Sequence, residues 1–77
     1  MNTLMNPSHH NKTGKKLAFI EQWLPVRYTT SVNTILRKDP RDPAYIRKVR
    51  NKKINDPKVT DALYKVSLIN KFQIENH

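Results

Sequence analysis

The chain has 77 residues and a formal charge of +9 at pH 7, because 15 lysines and arginines outnumber six aspartates and glutamates. This length allows one small domain with a marginal core, and the lack of cysteine excludes disulfides and thiolate metal sites. No apolar run is long enough to cross a membrane. The high positive charge favours a polyanionic partner.

The first fourteen residues predict a tail. Residues 1–14 mix Asn, Ser, Thr, His and Pro without hydrophobic periodicity, so burial cannot offset the entropy lost on ordering them. We expect a disordered polar and basic tail here, followed by a single small helical domain over residues 15–75. His9 and His10 are adjacent, so they would not share a helix face, and no further ligand supports them. We therefore predict no metal and no other cofactor.

Two apolar patterns predict the first two helices of the domain. The first helix spans Lys15 to Leu24, where apolar residues recur at helical spacing until Pro25 interrupts them. The second spans residues 30–38, with Thr and Ser at 29–31 as candidate N-caps and Pro40 just beyond its end.

A third helix is predicted to begin at Asp42-Pro43. The aspartate can accept hydrogen bonds from free backbone N–H groups, and proline is tolerated at the first helical position. Three apolar side chains of this helix fall within about 100° of arc and can face a core: Tyr45, Ile46 and Val49. Two short helices joined by a four-residue turn, here residues 39–42, also match the layout of a helix-turn-helix.

The last segment repeats the Asp-Pro start signal at Asp56-Pro57. Apolar residues at helical spacing then predict a helix over about residues 57–70. An alternative is a C-terminal hairpin, because apolar residues between Tyr64 and Ile74 also alternate as in a strand. The sequence thus predicts a mainly α domain of three to four helices, with a helix-turn-helix as one arrangement it allows.

Charge is concentrated between Arg37 and Lys53. This stretch holds eight of the 15 basic residues and two acids, a local charge of +6. No acid interrupts residues 43–55, so ion pairs between successive helical turns do not account for these cations. We therefore predict a nucleic-acid-binding site made of nine residues: Arg37, Lys38, Arg41, Arg47, Lys48, Arg50, Asn51, Lys52 and Lys53.

Two of these residues are expected to read bases. Arg47 and Asn51 lie one helical turn apart, and their side chains suit guanine and adenine edges respectively. The remaining cations are expected to contact phosphates. An alternative interpretation makes the preceding helix the reading element, through Asn33, Thr34, Arg37 and Lys38.

Catalysis is poorly supported by the sequence. The single glycine, Gly14, precludes a glycine-rich phosphate loop, and all three histidines lie near the chain ends. We predict a non-enzymatic, DNA-binding regulator or accessory factor that contacts DNA or RNA. Two alternatives are a basic ribonucleoprotein or ribosomal subunit, and a phage-type effector that docks on an acidic host protein. The expected location is the cytoplasm or nucleoid, with an organellar matrix as alternative and no membrane association.

Overall fold

The computed structural model describes the backbone of residues 5–76 and the side chains of residues 14–76. Four helices follow one another: α1 (Met5–Trp23), α2 (Thr29–Leu36), α3 (Pro43–Arg50) and α4 (Pro57–Glu75). No strand occurs within the described backbone, so the prediction of a mainly α domain with three to four helices is confirmed.

The C-terminal segment is helical as far as Glu75. α4 continues to Glu75, five residues beyond the predicted end at residue 70, and the alternative of a C-terminal hairpin is therefore wrong. Once a helix is started by a cap, each added residue gains a backbone hydrogen bond at little further cost. The alternating apolar residues consequently lie on different sides of α4, with Val66 buried and Phe72 exposed.

The N-terminal prediction concerns residues that are largely outside the described side chains. α1 begins at Met5, whereas we expected the first helix to start at Lys15. The expected disorder of residues 1–14 stays a prediction, because the side chains of residues 1–13 lie outside the described part. His9 and His10 fall in the same range.

α2 is shorter than predicted. It ends at Leu36 because the backbone turns at Arg37, whose φ of 52° lies in the left-handed region. The connector to α3 therefore comprises residues 37–42 instead of 39–42. A helix-turn-helix usually has a turn of about three to four residues, so this connector is longer than the motif requires.

α4 is the centre of the fold, because each of the other three helices packs against it. Phe19 of α1 stacks at an angle on Tyr64 of α4, with 5.2 Å between ring centroids. Near the other end of this contact, the Asn70 side chain donates a hydrogen bond to the Trp23 carbonyl oxygen at 2.8 Å. Among the described side chains, nine apolar ones are buried in the core: Ile20, Val32, Leu36, Ile46, Val49, Val59, Ala62, Leu63 and Val66.

Both Asp-Pro signals start helices as predicted. The Asp42 carboxylate accepts a hydrogen bond from the Ala44 N–H at 3.1 Å, and the Asp56 carboxylate accepts one from the Val59 N–H at 3.3 Å. In each case the proline occupies the first turn, where its missing N–H is not needed.

Asp56 also joins the start of α4 to α3. Its second carboxylate oxygen accepts a hydrogen bond from the Tyr45 hydroxyl at 2.7 Å, and Nε of Arg41 lies 3.8 Å from the same oxygen. The Tyr45 hydrogen bond, aided by the Val59 N–H and the Arg41 charge, holds the pKa of Asp56 below its ordinary value. The stability contributed by this carboxylate is therefore present above the unfolded-state pKa and is lost as the pH falls through the lower folded-state pKa.

We expect Tyr45→Phe to destabilise the domain by about 1 kcal/mol at pH 7, because it removes the hydroxyl and keeps the ring. The deficit should shrink at acidic pH, as the pH falls through the folded-state pKa of Asp56, which lies below the unfolded-state value of about 3.9, and the carboxylate becomes protonated. Urea unfolding at the two pH values measures both effects. Tyr28→Phe is the matched control, since Tyr28 also packs against the core but forms no ion-linked hydrogen bond among the described residues. An equal Tyr45→Phe deficit at both pH values would contradict the proposed role of Asp56.

Candidate nucleic-acid interface

The cations of α3 gather in its last turn. Arg47 and Lys48 are exposed and Arg50 is half-buried, while Ile46 and Val49 fix the opposite face in the core. Positive charge at this end interacts favourably with the helix dipole. The first turn of α3 carries no basic residue, so the charge lies at one end of the helix and not along its whole length.

The chain reverses direction after α3 through a Schellman motif. The Lys53 N–H donates to the Lys48 carbonyl oxygen at 2.8 Å, and the Lys52 N–H donates to the Val49 carbonyl oxygen at 3.0 Å. Lys52 has a φ of 66°, a left-handed conformation that glycine usually adopts at this position. The turn keeps the exposed side chains of Lys52 and Lys53 next to the last turn of α3.

Asn51 is the C-cap of α3. Its N–H donates to the Arg47 carbonyl oxygen at 2.9 Å, so the two predicted base-reading residues lie on successive turns, and both are exposed. The Asn51 side-chain oxygen accepts a hydrogen bond of 3.3 Å from Arg50. We define the cationic end of α3 as the following residues: Arg47, Lys48, Arg50, Asn51, Lys52 and Lys53.

The acidic residues that form ion pairs do so with basic residues outside the cationic end of α3. Asp61 pairs with Lys16 at 2.8 Å, and Glu75 pairs with Lys71 at 2.6 Å. Asp39 and Asp56 pair with residues outside the cationic end of α3. Among the described side chains, seven of the predicted site residues form no ion pair: Arg37, Lys38, Arg47, Lys48, Arg50, Lys52 and Lys53.

Arg41 differs from the other predicted site residues. Its half-buried guanidinium donates to the Asp39 carbonyl oxygen at 2.8 Å and lies 2.6 Å from the Asp39 carboxylate. Lys58 and Arg41 together lower the pKa of Asp39, and the Asp39 partner raises the pKa of Arg41. Arg41 therefore stabilises the connector, and its charge is largely offset within the protein.

Asn33 has a structural role that the sequence did not reveal. Its side-chain nitrogen donates to the Arg41 carbonyl oxygen at 2.8 Å, and its side-chain oxygen accepts from the Arg41 N–H at 2.8 Å. Both ends of the amide are thus used to hold the connector against α2. This arrangement disfavours the alternative in which α2 reads bases through Asn33.

Arg37 and Lys38 lie apart from the cationic end of α3. They belong to the connector that leads into the start of α3, whereas the cationic end follows its last residue. The eight residues of α3 span about 12 Å, so the two sets of cations flank the helix at opposite ends.

Two basic residues of the predicted site have positive backbone φ angles, which the sequence did not predict. Within the described backbone, Arg37 and Lys52 are the two residues other than glycine with positive φ. Each follows a helix. The left-handed conformation of Lys52 costs about 1 kcal/mol, and the backbone of Arg37, whose ψ of −99° lies outside the left-handed α region, costs about 1–3 kcal/mol. An indirect signal was available, because the only glycine is Gly14 and none can end α2 or α3.

A small crevice borders the cationic end of α3. This crevice of about 10 Å³, bordered by Arg50, Lys52 and Glu21 of α1, has room for about one water. No group of three or more His, Cys, Asp or Glu side chains in the described part could hold a metal ion. None of the helices searched there combines the length and apolar character that a membrane span requires.

Comparison with protein-family models, with curated protein sequences and with solved structures finds no significant match to this chain. Charge and geometry are therefore the basis of the functional proposal that follows.

We expect Lys52→Gly to be more stable than Lys52→Ala by about 1 kcal/mol, because glycine adopts positive φ without a steric cost. Both substitutions remove the same charge, so the pair isolates the backbone effect. Urea unfolding at neutral pH measures the difference. Equal stabilities would show that residue 52 does not hold the left-handed conformation in solution.

Proposed function

We propose that this protein binds nucleic acid through the cationic end of α3, as a regulator or accessory factor. The observation that carries the proposal is a group of five basic side chains on one turn and its following loop, with no acid partner among the described residues. Clustered like charges destabilise a folded protein unless a polyanion neutralises them.

The arrangement supports contact with a phosphate backbone. Lys48, Lys52 and Lys53 surround one turn of the chain, and lysine provides a mobile point charge that suits phosphate oxygens. Arg37 and Lys38, at the other end of α3, supply a second contact point for a neighbouring stretch of backbone.

Base recognition is assigned to Arg47 and Asn51 and not to the start of α3. In a helix-turn-helix, the N-terminal residues of the recognition helix contact the bases. Here the corresponding residues are Pro43 and Ala44, which offer no base-reading side chain. The proposal therefore places the C-terminal end of α3, with its exposed arginine and asparagine, against the groove.

The packing supports an independently folding binder over a subunit that orders only within a ribonucleoprotein. Among the described residues, no buried side-chain nitrogen or oxygen lacks a hydrogen-bond partner. Such a core should give a cooperative thermal transition in the isolated protein. Circular dichroism during heating tests this point, and weak helicity without a transition would favour the ribonucleoprotein alternative.

We expect binding to duplex DNA or to an RNA hairpin to weaken steeply with salt. If the five basic residues at the cationic end of α3 each neutralise one phosphate, log affinity should fall against log salt with a slope of about −4.5 on duplex DNA. Fluorescence anisotropy between about 50 and 200 mM salt measures the slope.

A charge-matched pair of double variants tests where the binding lies. Lys48→Ala with Lys52→Ala should reduce the magnitude of the slope by about two. Lys15→Ala with Lys65→Ala removes the same charge from α1 and α4 and should leave the slope nearly unchanged. Equal effects from both pairs would show that binding depends on diffuse charge attraction and not on the cationic end of α3. The absence of binding to either nucleic acid at low salt would refute the proposed function.

Single substitutions separate base recognition from phosphate contact. Arg47→Ala should cost about 1–3 kcal/mol of binding free energy on a preferred sequence and little on random sequence. Lys52→Ala should weaken binding to all sequences alike and reduce the salt slope by about one. In vitro selection from a random pool identifies the preferred sequence, and anisotropy titration compares the variants. Identical behaviour of the two variants would remove Arg47 from base recognition.

A further inference from the structure

A second candidate binding surface lies between α2 and the C-terminal half of α4. A groove of about 420 Å³ has an apolar base formed by Ile35, Val66 and Ile69, and a polar rim that includes Ser31 and Gln73. This volume falls in the range of ligand-binding clefts. None of the residues at the cationic end of α3 lines this groove, so it is separate from the proposed nucleic-acid site.

An exposed apolar strip of α4 extends the groove outwards. Ile69, which lines the groove, and Phe72 are 52% and 66% exposed and lie about 60° apart around the helix, whereas Leu68 (41% exposed) lies about 150° from the side of α4 that lines the groove. At the near end of the groove, Val26 is 94% exposed between Pro25 and Arg27, which both line it. Contiguous exposed apolar side chains beside a groove are typical of a protein interaction site.

The charges at the groove have one sign. Among the described residues that line the groove, Arg27 is the charged one, and Lys65 lies one turn before Ile69 on the same side of α4. Both side chains are exposed, and neither forms an ion pair with a described residue. A ligand that fills the groove would therefore gain from negative charge at its margins.

We infer that the groove and its apolar strip dock an acidic amphipathic helix of a partner protein. A helix placed in a groove presents apolar side chains at intervals of three or four residues, which match an elongated apolar base. Acidic residues beside these anchors would meet Arg27 and Lys65. A second copy of this chain is a poorer occupant, because it would bring a further charge of +9.

A designed helical peptide tests the inference directly. The probe is an amphipathic peptide with leucines on one face and glutamates beside them, and its charge-reversed control has lysine in place of every glutamate. We expect the acidic peptide to bind and to shift the amide NMR signals of residues around Ile35 and Ile69, whereas the lysine peptide should not bind.

Matched variants locate the contact. Phe72→Ser should weaken peptide binding by about tenfold or more, because it removes an aromatic anchor of the apolar strip. Arg27→Glu should also weaken binding, because it places a negative charge opposite the acidic margin of the peptide. Ile74→Ser is the control, because Ile74 is 57% exposed but lies about 160° around α4 from Phe72. It should leave the affinity unchanged.

Three outcomes would overturn the inference. Peptide binding that is lost in Arg47→Glu but retained in Phe72→Ser would place the peptide on the cationic end of α3. Sedimentation velocity that shows a dimer abolished by Phe72→Ser would identify a second copy as the occupant. Binding to vesicles of phosphatidylcholine and phosphatidylglycerol that is lost in Phe72→Ser, without peptide binding, would identify a lipid surface. Phe72→Ser changes no charge and lies outside the cationic end of α3, so it tests this inference without altering the proposed nucleic-acid site.

Discussion

The carboxylate of Asp56 connects the parts of this small fold that the apolar core alone would hold less firmly. One oxygen caps the first turn of α4, and the other accepts the Tyr45 hydroxyl of α3 and lies near Arg41 in the connector. A core of nine buried apolar side chains leaves limited stability in reserve, so a shared polar anchor of this kind matters. By joining the starts of two helices, Asp56 also sets the direction in which α3 presents its far end.

The distribution of ion pairs links this stability to the proposed function. Asp39, Asp56 and Asp61 pair with basic residues on another helix or in the connector, and Glu75 pairs with Lys71 within α4. With six acids in the whole chain, little negative charge is left for the end of α3. Glu21 borders Arg50 and Lys52 but forms no ion pair with them, so the end of α3 keeps a net positive charge. This is the electrostatic pattern expected of a nucleic-acid binder.

A high density of basic residues in the sequence does not show which of them are free of ion pairs in the folded protein. Arg37, Lys38 and Arg41 are close along the chain, yet Arg41 alone is held by Asp39 and shielded in the connector. The side chain of Asn33 is of a type that can read bases, but its amide forms two hydrogen bonds with the Arg41 backbone. In both cases the deciding contact joins residues that helical periodicity does not relate, so pattern analysis along one helix could not anticipate it.

Helix caps and hydrophobic periodicity are local properties, so they can be read from the sequence. They predicted the helical class, the Asp-Pro starts of α3 and α4, and the burial of Ile46 and Val49 on one side of α3. Only the tertiary structure decided where α2 ends, how the chain turns at Lys52, and which apolar side chains of α4 remain uncovered. These features depend on which segments meet in space. In a chain with one glycine, residues other than glycine must adopt positive φ at the turns, and their residue type does not predict these positions.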